Sequence, residues 1–198
     1  MLHIILVAGP SCCGKSRFCN SLINGELPEV ERQLGLGEAR DWPFQDAFYL
    51  TRDSSKNIDF SSHSRVLLHW TISRPTLGFK LRNCLLGVKY EREERVSVLR
   101  AADAITLLTL HTSTEVLCSR VRMRAERSNE LLHIGRKSKI DYWKHQIQLK
   151  RLFNYYSDQS RVDAVYREWF SFVSQFNVKD DYLVDVTGSP ALEIRQSR

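Results

Sequence analysis

Eight residues near the start of the chain have types and spacing that can do chemistry. Gly9-Pro10-Ser11-Cys12-Cys13-Gly14-Lys15-Ser16 fits the pattern GxxxxGK[ST] in full. Each fixed position has a physical reason. Gly9 and Gly14 let the backbone curl so that successive N–H groups point inward at phosphate oxygens. Lys15 can then reach the β- and γ-phosphates of a nucleotide, and the Ser16 hydroxyl can ligate Mg²⁺. Pro10, Ser11, Cys12 and Cys13 occupy variable positions, where backbone and not side chain would contact phosphate. A glycine-rich turn that binds nothing is the bland alternative, but it gives no reason for Lys and Ser after the second Gly.

The loop needs a strand before it and a helix after it. Leu2–Ala8 is a short apolar run with β-branched Ile4, Ile5 and Val7, as expected of a buried parallel strand. A helix over Lys15–Leu22 would aim its N-terminus at the phosphates. Further along, Val66–Ile72 and Ala104–Leu110 read as strands, and Tyr182–Val186 as the last one. Helices are expected over Glu29–Leu34, Thr114–Arg127, Ile140–Tyr156 and Val162–Phe176. Ala47–Leu50 is too short to assign. Alternating strands and helices predict an α/β fold, a parallel sheet of about five strands with helices on both faces, in a single domain over 1–198.

Two negative features narrow the chemistry. A guanine-reading NKxD motif is absent: Asn177-Val178-Lys179-Asp180 has Lys one place too late. The third apolar run ends in His69-Trp70, where a motor ATPase would carry paired acids.

Three segments resemble the uridine kinase and nicotinamide riboside kinase group of P-loop kinases. Gln45-Asp46-Ala47-Phe48-Tyr49 is similar to their segment after the second strand, an Asp followed by a variable residue and two aromatics. The resemblance implies that Asp46 serves as general base for the substrate hydroxyl or helps organise Mg²⁺. A turn or N-cap residue is the alternative. Arg120-Val121-Arg122-Met123-Arg124-Ala125-Glu126-Arg127 is similar to their arginine-rich lid, here about 120–138. Of its arginines, Arg120, Arg124 and Arg127 share a helical face and would neutralise transition-state charge. Asp185-Val186-Thr187-Gly188 is similar to their closing strand. The resemblance implies an ATP- and Mg²⁺-dependent kinase acting on a hydroxyl of a small molecule, a nucleoside or related metabolite.

Other readings stay open. A polynucleotide 5′-hydroxyl kinase would use the same groups, with the basic helical segment 139–177 holding the strand. Its Lys144, Lys150 and Arg151 are interleaved with Tyr142, Trp143, Phe153, Tyr155 and Tyr156. A regulatory protein that binds nucleotide without transferring phosphate is the third reading. His69, Arg74 and His111 stand at strand ends where ligands bind in open sheets. The net charge of +6 suits anionic partners in general. No apolar stretch is long enough to span a bilayer, and five cysteines without a CxxC pair suggest reduced thiols in the cytoplasm.

Overall fold

The apolar run at the N-terminus becomes β1 (His3–Gly9), with Ile4 to Ala8 buried on both faces. The computed structural model describes residues 1–35, 41–47, 50, 59–72, 93–135, 138–187 and 193–196. After β1 come α1 (Lys15–Ile23), α2 (Pro28–Gln33), β2 (Phe44–Asp46), β3 (Arg65–Thr71), α3 (Glu93–Ala101) and β4 (Ala104–His111). Then follow α4 (Thr114–His133), α5 (Lys139–Tyr156), α6 (Gln159–Val173), β5 (Val178–Asp185) and β6 (Glu193–Gln196).

The strands form one sheet in the order β2-β3-β1-β4-β5-β6. The first five are parallel, as expected, and β6 runs antiparallel to β5 at the edge. Nothing in Glu193-Ile194-Arg195-Gln196 announces a strand, because four residues with one aliphatic side chain show no period. The second strand also lies upstream of the apolar tetrapeptide Ala47–Leu50. Its three residues pair with Leu67, Leu68 and His69, so backbone pairing on an edge, not apolarity, decides its place.

Successive residues of a strand point to opposite faces. Trp70 is turned to α6, where its ring lies 6.0 Å from Trp169 and 6.3 Å from Phe172. His69 is turned to α1, where it meets Ser16. The sheet is thus covered on both faces. α6 is tied down further by Tyr166 Oη, which donates to Leu110 O at 3.0 Å, and by Trp169 Nε1, which donates to Thr109 Oγ1 at 3.3 Å.

The expected helix Thr114–Arg127 runs on to His133, so residues 120–133 of the expected helical lid are the second part of one long helix. Ser113 Oγ caps its start by accepting from Val116 N. Gly135, at φ 70°, closes its end, with Ile134 N and Gly135 N donating to Glu130 O and Leu132 O. α5 then returns antiparallel: Tyr142 bonds Asn129, Gln146 bonds Ala125 O, and Cys118 lies against Phe153 O. Among the described residues no helix is long and apolar enough to cross a membrane.

Trp169 is fully buried at the centre of the ring cluster. Trp169→Ala should destabilise the fold by about 3–5 kcal/mol, the usual cost of emptying an indole-sized core site. Urea unfolding followed by circular dichroism measures it, as a lower midpoint with an unchanged slope.

Candidate functional site

β1 lies between β3 and β4. From β1 the chain moves to one side of the sheet, toward β2, and from β4 it moves to the other, toward β5. The carboxyl ends of these two neighbours therefore flank a crevice, the place where open α/β sheets bind ligands. The loop 10–14 leaves β1 at that crevice.

The loop's shape differs in one respect from the sequence expectation. Gly9 does not have a positive φ; the left-handed residues are Cys12 (φ 69°) and Gly14 (φ 109°). Gly9 is needed for a different reason. A Cβ there would stand 2.6 Å from Cys13 Sγ and 3.1 Å from Leu110 O. Cys12 adopts a conformation that costs a non-glycine residue roughly 1–3 kcal/mol, so the fold around it must impose it. Two contacts do so. Cys13 N donates to Pro10 O at 3.3 Å, and Arg124 Nη1 donates to Cys12 Sγ at 3.5 Å.

Lys15 opens α1 and is 5% exposed. Its Nζ curls back under the loop and donates to Pro10 O at 2.8 Å, with Cys13 Sγ 4.0 Å away. An ammonium has three N–H donors. Among the described residues no carboxylate pairs with it. A carbonyl and a thiol leave a buried cation undercompensated, and an anion in the loop would be strongly favoured there.

Ser16, exposed on the first turn of α1, faces His69, with Oγ and Nε2 3.5 Å apart. His69 Nδ1 lies 3.1 Å from Asp46 Oδ1, an electrostatic contact rather than an aligned hydrogen bond. Register explains the chain of contacts. Asp46 is opposite His69, and His69 is opposite Val7 of β1. Asp46 is thus two strands from β1, roughly 9.6 Å at the usual spacing. From β3 the imidazole reaches Asp46 on one side and Ser16 of α1 on the other. In this sheet the residue standing where an acid was expected joins the displaced acid to the loop's serine.

The three arginines separate. Arg120 is half-buried and donates to Cys13 O and, at 2.8 Å, to Val186 O. It clamps the loop to the end of β5, and its Nη1 lies 3.4 Å from where a Gly14 Cβ would be. Arg124, one turn on, reaches Cys12. Arg127 is exposed and makes no hydrogen bond among the described residues. Val186, whose carbonyl anchors Arg120, carries no sequence signal, since a backbone acceptor is available at any residue.

Burial pushes the thiol of Cys13 up from its ordinary pKa and that of Cys19 up to about 12. Both stay protonated and are poor nucleophiles. Cys12, Cys13, Cys19 and Cys118 are all free. His111 packs against the Tyr166 ring, 5.2 Å between centroids. Phe48, Tyr49, Arg74 and Gly188 lie outside the described residues. Among the described residues no group of three or more His, Cys, Asp or Glu side chains is placed to hold a metal ion. A Mg²⁺ bound mainly by phosphates needs only one or two protein ligands. Comparison with family models, with curated proteins and with solved structures returned no match for this chain.

Gly9→Ala should cost about 1–3 kcal/mol by overpacking. Pairing it with Cys13→Ala removes the sulfur contact but leaves that to Leu110 O, so part of the loss should return. A double-mutant cycle on unfolding free energies reads the coupling, and strict additivity would show that the two residues do not meet.

Proposed function

We propose that this chain is a P-loop phosphotransferase, which binds ATP with Mg²⁺ and passes the γ-phosphoryl group to a hydroxyl of a small molecule. The observation that carries the reading is the buried ammonium of Lys15 inside a left-handed loop at the crevice between β1 and β4. A phosphate chain is the kind of ligand that supplies such a site with negative charge and multiple acceptors.

Each residue then has a role. The backbone of Gly9, Pro10, Ser11, Cys12, Cys13 and Gly14 would wrap the phosphates. Lys15 would exchange its bond to Pro10 O for phosphate oxygens. Ser16 and Asp46 would hold Mg²⁺, which when bound would neutralise phosphate charge. Asp46 could instead take the proton from the acceptor hydroxyl. His69 keeps the two residues in a fixed relation whichever role Asp46 plays. Arg120 would set the loop's shape through carbonyls, while Arg124, exposed and beside Cys12, is better placed to add charge over the phosphates.

The polynucleotide reading draws little from α5. Tyr156 is buried, Tyr155 packs edge-on against it, and Phe153 lies under the Arg122 guanidinium at 4.8 Å. Of the five aromatics in that stretch only Trp143 is exposed, which is a poor stacking platform for a strand.

Two substitutions test the proposal. Lys15→Ala should weaken Mg-ATP binding roughly 10- to 150-fold, the worth of a charge-assisted hydrogen bond of about 1.5–3 kcal/mol, as read by titration calorimetry. Unchanged affinity in the folded variant would remove the reading. Asp46→Asn should keep nucleotide affinity near that of the parent and lower transfer by roughly 10²–10⁴-fold if Asp46 is the base, measured as phosphate transfer to a panel of nucleosides. A loss of Mg²⁺-dependent affinity, partly restored by added Mg²⁺, would instead assign it to the metal. Full transfer activity would refute both roles for Asp46, and nucleotide binding with no transfer by the parent protein would favour a regulatory protein.

A further inference from the structure

A surface helix normally has one apolar stripe, which it spends on the core. α5 has two. Leu149, Leu152 and Tyr156 are buried. On the diametrically opposite side Ile140 is 67% exposed, Trp143 64% and Ile147 51%. At 3.6 residues per turn these three fall within roughly 60° of arc.

The charges around the second stripe are ordered. Lys139 and Lys150 border it on one side, and Lys144 and Arg151 on the other, all exposed. The helix has a single acid, Asp141, and it lies off this face, bonded to Ser138. In heptad terms Ile140, Trp143 and Ile147 take positions a, d and a. Lys139 is then a g position, Lys144 and Arg151 are e positions, and Lys150 follows at d, where it ends the apolar seam.

We propose that this face of α5 docks an acidic amphipathic helix of a partner protein, with the partner's apolar seam on Ile140, Trp143 and Ile147 and its carboxylates against the flanking Lys side chains. The width of the stripe favours a helix over a bilayer. An in-plane membrane helix needs a broad apolar face, and here the apolar arc is as narrow as a coiled-coil seam. Charge excludes a second copy of the same face, since basic e and g positions would meet basic ones. Two of the three apolar residues are aliphatic, which gives bases little to stack on. The face is independent of the proposed nucleotide site and its residues.

The test uses the full chain and synthetic peptides of three heptads, with Leu at a and d. One carries Glu at e and g, and the other carries Lys there. Fluorescence anisotropy of the labelled Glu peptide should show saturable binding that weakens with added salt. Trp143→Ser should reduce affinity roughly tenfold or more, with thermal stability unchanged because the side chain is exposed. In Lys139→Glu/Lys144→Glu/Arg151→Glu, which leaves the face net acidic, the preference should pass to the Lys peptide. Failure of the parent to bind the Glu peptide would overturn the proposal. So would equal binding of both peptides, binding that survives Trp143→Ser, or a charge-reversed variant that keeps the original preference. Cosedimentation with phosphatidylserine vesicles, or binding of a poly-dT oligonucleotide, that is lost in Trp143→Ser while the Glu peptide does not bind would assign the face to lipid or nucleic acid and overturn it equally.

Discussion

Hydrogen bonding on both sides and burial on both faces leave β1 a single exit, at its carboxyl end. Backbone groups in that position must pair within the sheet or turn out of it. Because the chain departs in opposite directions from β1 and from β4, the exit opens into a crevice instead of under a covering helix. The tight packing at this exit sets the loop. Gly9 can carry no side chain because Cys13 Sγ and Leu110 O already fill the space, and Cys13 occupies its place because the loop turns left-handed just before it, at Cys12.

Around this loop the cations are held by different means and so do different work. Lys15 is buried with a carbonyl and a distant thiol for company, an arrangement that favours an incoming anion. Arg120 is half-buried with two backbone carbonyls, which makes it a clamp joining α4, the loop and the end of β5. Arg124 is exposed and, among the described residues, holds a soft sulfur acceptor, a weak contact easily exchanged for a better one. A run of arginines at helical spacing thus divides by depth: the one nearest the sheet shapes the site, and those further out are available to a ligand.

The connection from β4 to β5 takes three helices. α6 covers the sheet with its aromatic stripe, through Trp169 and Phe172 on Trp70. α4, which buries Leu117 and Val121 in the same core, packs with α5 as a hairpin extending from the crevice at Arg120 to the turn at Gly135. One end of the hairpin therefore touches the loop 10–14, while the outer side of α5 presents Trp143 and its basic borders to solvent. The two helices are held together in part by the Ser128–His145 bond and the Arg122–Phe153 stack.

Local pattern alone determined a good part of this protein. The β1–loop–α1 unit is contiguous, so the spacing of Gly14, Lys15 and Ser16 carries its own geometry. The central strands declared themselves because burial on both faces demands unbroken apolar runs, and α6 because its stripe follows the helical period. Tertiary structure decided whatever depends on residues distant in sequence. Phe44–Asp46 is a strand only because β3 offers a free edge, and β6 only because β5 does. The reason for Gly9 lies partly in Leu110, a hundred residues away. The inward turn of most aromatics on α5 depends on α4. The link from Asp46 through His69 to Ser16 needs three elements brought together, and no spacing within one segment could have shown that a histidine would join a strand-end acid to the first turn of α1 where a nearer acid was expected.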